Sequence, residues 1–386
     1  MARIIFLFNH DAAHQVAHIA GIADKLICAP ESQDRHEIIL ACGTRGIAAQ
    51  LHQMLSPQAA ARATWVMLDV PRWASAPLGV VNKIAPVLRL ARLRAHLPLF
   101  AAADMVVSPE RTCLQVKDWL GARAPRFVFV PHGAGDRSVT YHPSMAGFDY
   151  MLVSGPKVQA EMIRHGLARA GQIDIIGYPK FDLINLAARP RFFDNDKPVV
   201  LYNPHFDPAL SSWYDMGPEL LAWFAAQQGK WNLIVAPHVM LFRKRWHYSL
   251  EYRRLRRRPD MPPAYADLPY MRIDTDSAHL FDMSYTRAAD IYIGDVSSQV
   301  YEFLAHRGAC YFLDTGKAEP PLEFWQNGER CHSVADLTQR LGDWQASAAA
   351  HRATQDRLFS YSIDQDPART ASQRGAEALL TYAARL

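Results

Sequence analysis

Short runs of consecutive apolar, mostly β-branched residues recur along this chain between longer stretches with helical spacing. A run in which neighbouring positions are both apolar fits a strand buried on both faces, as in a parallel sheet covered by helices. In the first half such runs predict strands over Arg3–Phe8, Glu37–Ala41, Thr64–Leu68, Met105–Val107, Phe127–Val130, Tyr150–Val153 and Asp174–Ile176. In the second half they predict strands over Val199–Asn203, Asn232–Ala236, Met271–Ile273, Ile291–Gly294 and Ala309–Leu313. The polar, proline-containing stretch Arg189–Pro198 between the two sets reads as a linker. The expected fold class is therefore α/β, with two Rossmann-like domains facing each other across a cleft, residues 1–188 and 198–386.

Length and composition fit this reading. A chain of 386 residues is too long for one ordinary core, and 49% apolar with 21% charged residues describes a folded protein. The net charge of +4 suits an anionic ligand or an anionic membrane surface but is too small to indicate nucleic acid. Five cysteines, odd in number and without a Cys-x-x-Cys pair, point to reduced thiols in the cytoplasm, with no disulfide framework and no zinc. The apolar run Ile4–Phe8 is too short for a signal-peptide core. No stretch approaches the roughly 20 apolar residues that span a bilayer, so any membrane contact is expected to be peripheral.

Two basic stretches bear on that contact. In Lys83–Leu97, Lys83, Arg89, Arg92 and Arg94 are set among leucines and valine, which suits either a helix lying on anionic lipid or a solvated surface helix. Arg243–Arg258 carries eight arginines and lysines and is expected on a helix and loop. It could meet phosphate, meet lipid, or face solvent.

The chemistry-bearing residues cluster at predicted strand ends, where open α/β sheets bind ligands. The strand Phe127–Val130 runs through Pro131 into His132 and Gly133, and an imidazole there is a candidate general base. Asn9, His10, Asp11 and His14 follow the first strand, and Asp11 and His14 join His132 as catalytic candidates. The strand–Pro–His arrangement recurs at His205 and His238, whose rings can donate to phosphate oxygens. Finally, Ile291–Gly294 leads into Asp295, Ser297 and Ser298, which open an expected helix. Asp295 or Ser297 could cap it, and its free N–H groups could bind an anion; Glu302, one turn on, could reach a ribose hydroxyl or lie exposed.

Taken in order, these motifs resemble the CDP-glycerol glycerophosphotransferases of teichoic-acid and capsule synthesis. The resemblance rests on His132-Gly133, GYPKFD (Gly177–Asp182), YNPHFD (Tyr202–Asp207), APH (Ala236–His238) and GDVSSQVYEFL (Gly294–Leu304), and covers roughly Asp104 to Asp314. Lys180 stands where that family usually has Arg, which keeps the charge but loses the bidentate fork. The resemblance implies a GT-B fold and a CDP-linked donor. It also implies a lipid-linked or glycan acceptor, with His132 as the base that activates the acceptor hydroxyl. Donor contacts would come from Gly133, Lys180, His205, His238, Asp295, Ser297, Ser298 and Glu302, and no cofactor is called for. Two other readings remain open: a nucleotide-sugar glycosyltransferase on the same fold, and a non-enzymatic membrane or nucleic-acid adaptor using the basic stretches.

Overall fold

Ile4, Phe6 and Phe8 point into one apolar core and Ile5 and Leu7 into another, so the first strand is buried on both faces. That alternation places it in the middle of a sheet with helices on either side. The computed structural model describes residues 1–10, 15–32, 35–70, 87–133, 141–317 and 322–386. The strands of the first half are β1 (Ala2–Phe8), β2 (His36–Cys42), β3 (Thr64–Met67), β4 (Met105–Ser108), β5 (Arg126–Phe129), β6 (Tyr150–Val153) and β7 (Ile173–Ile175). They form one parallel seven-stranded sheet in the order β3-β2-β1-β4-β5-β6-β7. The order reverses between β1 and β4.

The second half contributes β8 (Val199–Asn203), β9 (Asn232–Val235), β10 (Trp246–Ser249), β11 (Arg254–Arg257), β12 (Met271–Ile273), β13 (Ile291–Gly294), β14 (Ala309–Leu313) and β15 (Glu329–Cys331). Six of these make a parallel sheet in the order β12-β9-β8-β13-β14-β15, reversing between β8 and β13. Every strand expected from the apolar runs is present, and both sheets are of the Rossmann type.

Three expectations need correction. The arginine-rich stretch is not a helix and loop but an antiparallel hairpin, β10–β11. Its alternation is of period two: His247 and Ser249 point inward while Trp246 and Tyr248 point outward. The domain boundaries also move. The described residues through Ile184 form one compact unit together with Ser360–Leu386, and Asn185–Phe359 form the other. The C-terminal segment belongs with the first unit because the helix Ala371–Ala383 buries Ala376, Ala378, Leu379 and Ala383 in the core built on Ile19, Ile22 and Leu26. Gly177 admits this return: it has φ +90°, and a Cβ there would lie 2.7 Å from the carbonyl oxygen of Asp364. Asp182 then accepts the N–H of Ser372 at 2.6 Å.

The stretch read as a linker is likewise fastened to the second unit. Arg189 pairs with Asp290 at 2.6 Å, and Arg287 donates to the carbonyls of Asn185 and Ala188. As for the other basic stretch, residues 83–86 lie outside the described residues. In the helix Val87–Ala95, Arg89 binds Glu110, Arg94 lies over the ring of Trp119, and Leu93 is buried. These contacts tie one side of the helix to the first unit, while Arg94 and Ala95 stay exposed. Among the described residues no helix is long and apolar enough to cross a membrane.

Candidate functional site

In the second unit the site is built where the strand order reverses. β8 ends in Asn203, whose amide donates to the carbonyl of Ala236 at 2.6 Å and accepts from the hydroxyl of Tyr292 at 3.0 Å. One buried side chain thus ties the carboxyl ends of β8, β9 and β13 together. Just beyond β13, Asp295 is buried and accepts the N–H of His205 on both oxygens, at 3.0 and 3.1 Å. It also accepts the N–H and hydroxyl of Ser212, at 2.8 and 2.9 Å. Burial pushes its carboxyl up to about 6, against the pull of these donors. The indole of Trp325 donates to the carbonyl of Asp295 at 2.7 Å and fixes its backbone. No side chain fits at Gly294, where a Cβ would come within 2.4 Å of the Tyr292 ring.

Held in this frame, His205 and His238 stand side by side with ring centroids 5.1 Å apart and Phe206 against both. Each accepts a backbone N–H on Nδ1 from two residues downstream, Asp207 at 3.0 Å and Met240 at 3.2 Å. An Nδ1 that accepts carries no proton, so in each neutral ring the proton is on Nε2. The second unit therefore presents two imidazole donors at one strand-end position.

The first unit shows the opposite arrangement. His132, exposed beyond β5, has Nδ1 2.9 Å from the carbonyl oxygen of Pro109. A carbonyl only accepts, so Nδ1 holds the proton and the neutral ring has its lone pair on Nε2. That is the form a general base needs. Its ring lies 6.4 Å from that of His18, which in turn contacts Tyr178 at 5.2 Å.

Close by, at the reversal between β1 and β4, Asn9, His10 and Glu110 are buried. Arg89 donates to one oxygen of Glu110 at 2.7 Å, and its carbonyl accepts from Asn9 at 3.0 Å. Among the described residues, the remaining atoms, Asn9 Oδ1, Glu110 Oε1 and both ring nitrogens of His10, have no hydrogen-bond partner. Burial, with the charges of His132 and Arg89, lowers the His10 ring to about 3, so it is neutral under physiological conditions. Buried polar atoms left unpaired each cost about 1–3 kcal/mol, and a cluster of them at a switch point fits a site that binds hydroxyl groups.

The other expected residues are placed as follows. Gly133 is half-buried beside His132, and Lys180 is buried in the turn Pro179–Leu183 of the first unit. Asp11 and His14 lie outside the described residues. Ser297 is buried and accepts the N–H of Gln299 at 3.3 Å; Ser298 is half-buried. The helix they were expected to open is a single turn, Val300–Phe303, whose Ncap residue Gln299 makes no side-chain cap. Neither Asp295 nor Ser297 caps it, and a lone turn is no anion site of its own. Glu302 is buried, which removes the exposed alternative.

Glu110, Arg89 and Ser212 were not foreseen. Glu110 had a signal: Ser108-Pro109-Glu110 repeats the strand–Pro–polar pattern of the three histidines. A cavity of about 420 Å³ lined by Arg189, His306, Arg307 and Trp344 sits at the amino ends of β13 and β14, the edge opposite His205 and His238. It is not part of this site. Among the described residues no cluster of His, Cys, Asp and Glu could hold a metal ion.

No protein-family model and no curated protein sequence matches the chain. Solved structures do match. The wall teichoic acid polymerase TagF aligns with a TM-score of 0.61 at 12% identity, covering 100% of this chain and 89% of that one. A TagF structure soaked with CDPG gives a TM-score of 0.61 at 12% identity, covering 99% and 90%. The S. aureus MnaA–UDP co-structure gives 0.56 at 9% identity, covering 100% and 96%. A UDP-N-acetylglucosamine 2-epimerase gives 0.56 at 10% identity with the same coverage. At such identities the likeness is one of fold. It is the GT-B class, along the whole chain, and it includes a CDP-glycerol glycerophosphotransferase, the family whose motifs the sequence resembles.

Proposed function

We propose that this chain is a transferase that moves glycerophosphate, or a related phospho-alcohol, from a CDP-linked donor to a hydroxyl of a lipid-linked or glycan acceptor. The observation that carries the reading is the opposite proton placement on the strand-end histidines. His132 holds its lone pair on Nε2, whereas His205 and His238 hold their protons there. One unit thus offers a base and the other offers donors. Phosphoryl transfer needs both, since catalysis there is mainly positioning and charge stabilisation.

In this mechanism His132 takes the proton of the acceptor hydroxyl as that oxygen attacks the phosphorus bearing the alcohol. The bond to the bridging oxygen breaks, and CMP leaves. His205 and His238 donate to the diphosphate, with Ser297, Ser298, Gly133, Lys180 and Glu302 as further donor contacts. Asp295 acts by holding the His205 turn. Asn9, His10 and Glu110 supply the mixed donor and acceptor set that an uncharged polyol requires, with Asp11 and His14 adjoining them in sequence. A lipid-linked acceptor places the enzyme in the cytoplasm, peripheral at an anionic inner-membrane surface. Nucleic acid has no part in it.

The second reading is a nucleotide-sugar enzyme on the same fold, favoured by the likeness to a structure holding UDP. A thermal-shift panel of CDP, CDP-glycerol, UDP, UDP-sugars and GDP-sugars separates the two, because a ligand that binds only the native state raises the melting temperature. Stabilisation by the CDP compounds above the others supports the first reading; a clear preference for UDP-sugars supports the second.

A further inference from the structure

The hairpin β10–β11 carries a surface unlike the rest of the described chain. Its inner face is fastened: His247 lies 2.9 Å from the carbonyl of Leu241, Ser249 donates to Asp207 at 2.9 Å, and Arg256 binds Asp215 at 2.7 Å. Its outer face is apolar and open. Trp246 is 56% exposed, Tyr248 53%, Leu255 60%, and Leu250 at the turn 85%. The register sets Tyr248 opposite Leu255 and Trp246 opposite Arg257, so these side chains share one face. Exposed apolar residues scattered singly are ordinary, but a contiguous patch on a braced element marks an interaction surface.

Charge identifies the partner. Between Arg243 and Asp260 stand eight cations and two carboxylates, a formal +6, while the whole chain is only +4, so the remainder is net negative. Arg243, Lys244, Arg245, Arg253, Arg254 and Arg257 are all exposed around the apolar face. A tryptophan and a tyrosine beside a protruding leucine, ringed by cations, is the composition that seats in a bilayer interface. A second copy of this chain would bring two +6 surfaces together, which like charge opposes.

We propose that the β10–β11 hairpin inserts Leu250, Tyr248, Trp246 and Leu255 into the headgroup boundary of an anionic bilayer. It names the surface for the membrane contact proposed above and does not depend on the transfer reaction. Because Ser249 holds Asp207, and Asp207 donates to His205, the same hairpin would fix the donor turn at the membrane.

The test is flotation of the full chain, without nucleotide, on neutral phosphatidylcholine vesicles and on vesicles containing phosphatidylglycerol. The wild type is expected to float with the anionic vesicles only, and less as salt rises. Leu250→Ser with Leu255→Ser should weaken binding on the order of tenfold or more, and each of Arg243→Gln, Lys244→Gln and Arg245→Gln by about fivefold. The thermal midpoint should hold, since these side chains are exposed. Failure of the wild type to bind anionic vesicles overturns the proposal, as does unchanged binding by the serine variant. Light scattering that shows the serine variant converting a dimer to a monomer, with vesicle binding intact, also overturns it in favour of self-association. None of these outcomes touches the nucleotide panel.

Discussion

Asp295 accepts the backbone N–H of His205 on both carboxylate oxygens, at 3.0 and 3.1 Å, across the gap where the second sheet reverses its strand order. Such a reversal leaves a crevice in which consecutive loops diverge. Asp295 closes its base, and Ser212 completes the grip from the same loop as His205.

Replacing Asp295 with Ala leaves the N–H groups of His205 and Ser212 buried without an acceptor. Each such group costs about 1–3 kcal/mol, so Asp295→Ala is expected to lose roughly 3 kcal/mol or more in denaturant unfolding. Ser212→Ala removes one donor but leaves the carboxylate the backbone N–H groups of residues 205, 212 and 296, so it should lose less, about 1–2 kcal/mol, part of it from the buried hydroxyl of Tyr202, which loses its partner. Equal losses would show that Asp295 is not the hub.

His10 makes the fold sensitive to acid. Its folded-state proton affinity is depressed, to about 3 from 6.5, so the unfolded chain binds the proton between those values. The stability it confers is full above pH 6.5 and is lost as the pH falls toward 3. Asp295 runs the other way, since its raised carboxyl gains a proton in the folded state as the pH falls through about 6. At pH 4 the His10 loss is on the order of 3 kcal/mol. Melting temperatures at pH 7 and pH 4 should therefore converge in His10→Asn relative to the wild type; an unchanged gap would place the acid sensitivity elsewhere.

The two donor histidines should act on binding. His205→Ala and His238→Ala are each expected to weaken nucleotide affinity by about tenfold, the worth of a charge-assisted hydrogen bond. Gln carries its amide near the position of Nε2, so His238→Gln should recover part of the loss, where His238→Asn should not. Calorimetric titration with CDP measures both, and equal affinities for the two variants would contradict the proton assignment.

Much of this was legible in the sequence because buried parallel strands write themselves as unbroken apolar runs. Ile4–Phe8 and Ile291–Gly294 could be read directly, and the Pro–His steps marked their carboxyl ends. The hairpin was not legible, since a two-stranded ribbon with one open face has too few apolar positions, and arginines masked the alternation of His247 and Ser249. Nor was the return of Ser360–Leu386 to the first unit, which rests on long-range contacts of Ala376, Leu379 and Ser372 that no local pattern encodes. Ser297 and Ser298 suggested a capped helix, but the chain makes only one turn there. Asp295 proved to hold the loop of His205 and Ser212, together with the N–H of the adjacent Val296, rather than to cap that turn.

His132 should matter to turnover and not to donor affinity. Loss of a general base lowers the rate by about 10²–10⁴-fold. His132→Ala is expected to show that loss in single-turnover kinetics while binding CDP as the wild type does. Near-normal turnover would reduce the bond to Pro109 to a feature of the turn.

The most direct measurement is the nucleotide released during turnover. Attack at phosphorus breaks the pyrophosphate link and frees a nucleoside monophosphate; attack at an anomeric carbon leaves that link intact and frees a nucleoside diphosphate. Incubated with CDP-glycerol and a glycan or lipid-linked polyol, the protein is expected to release CMP, and His132→Ala to release it far more slowly. Release of UDP from a UDP-sugar, with CDP-glycerol left intact, would contradict the proposed transfer.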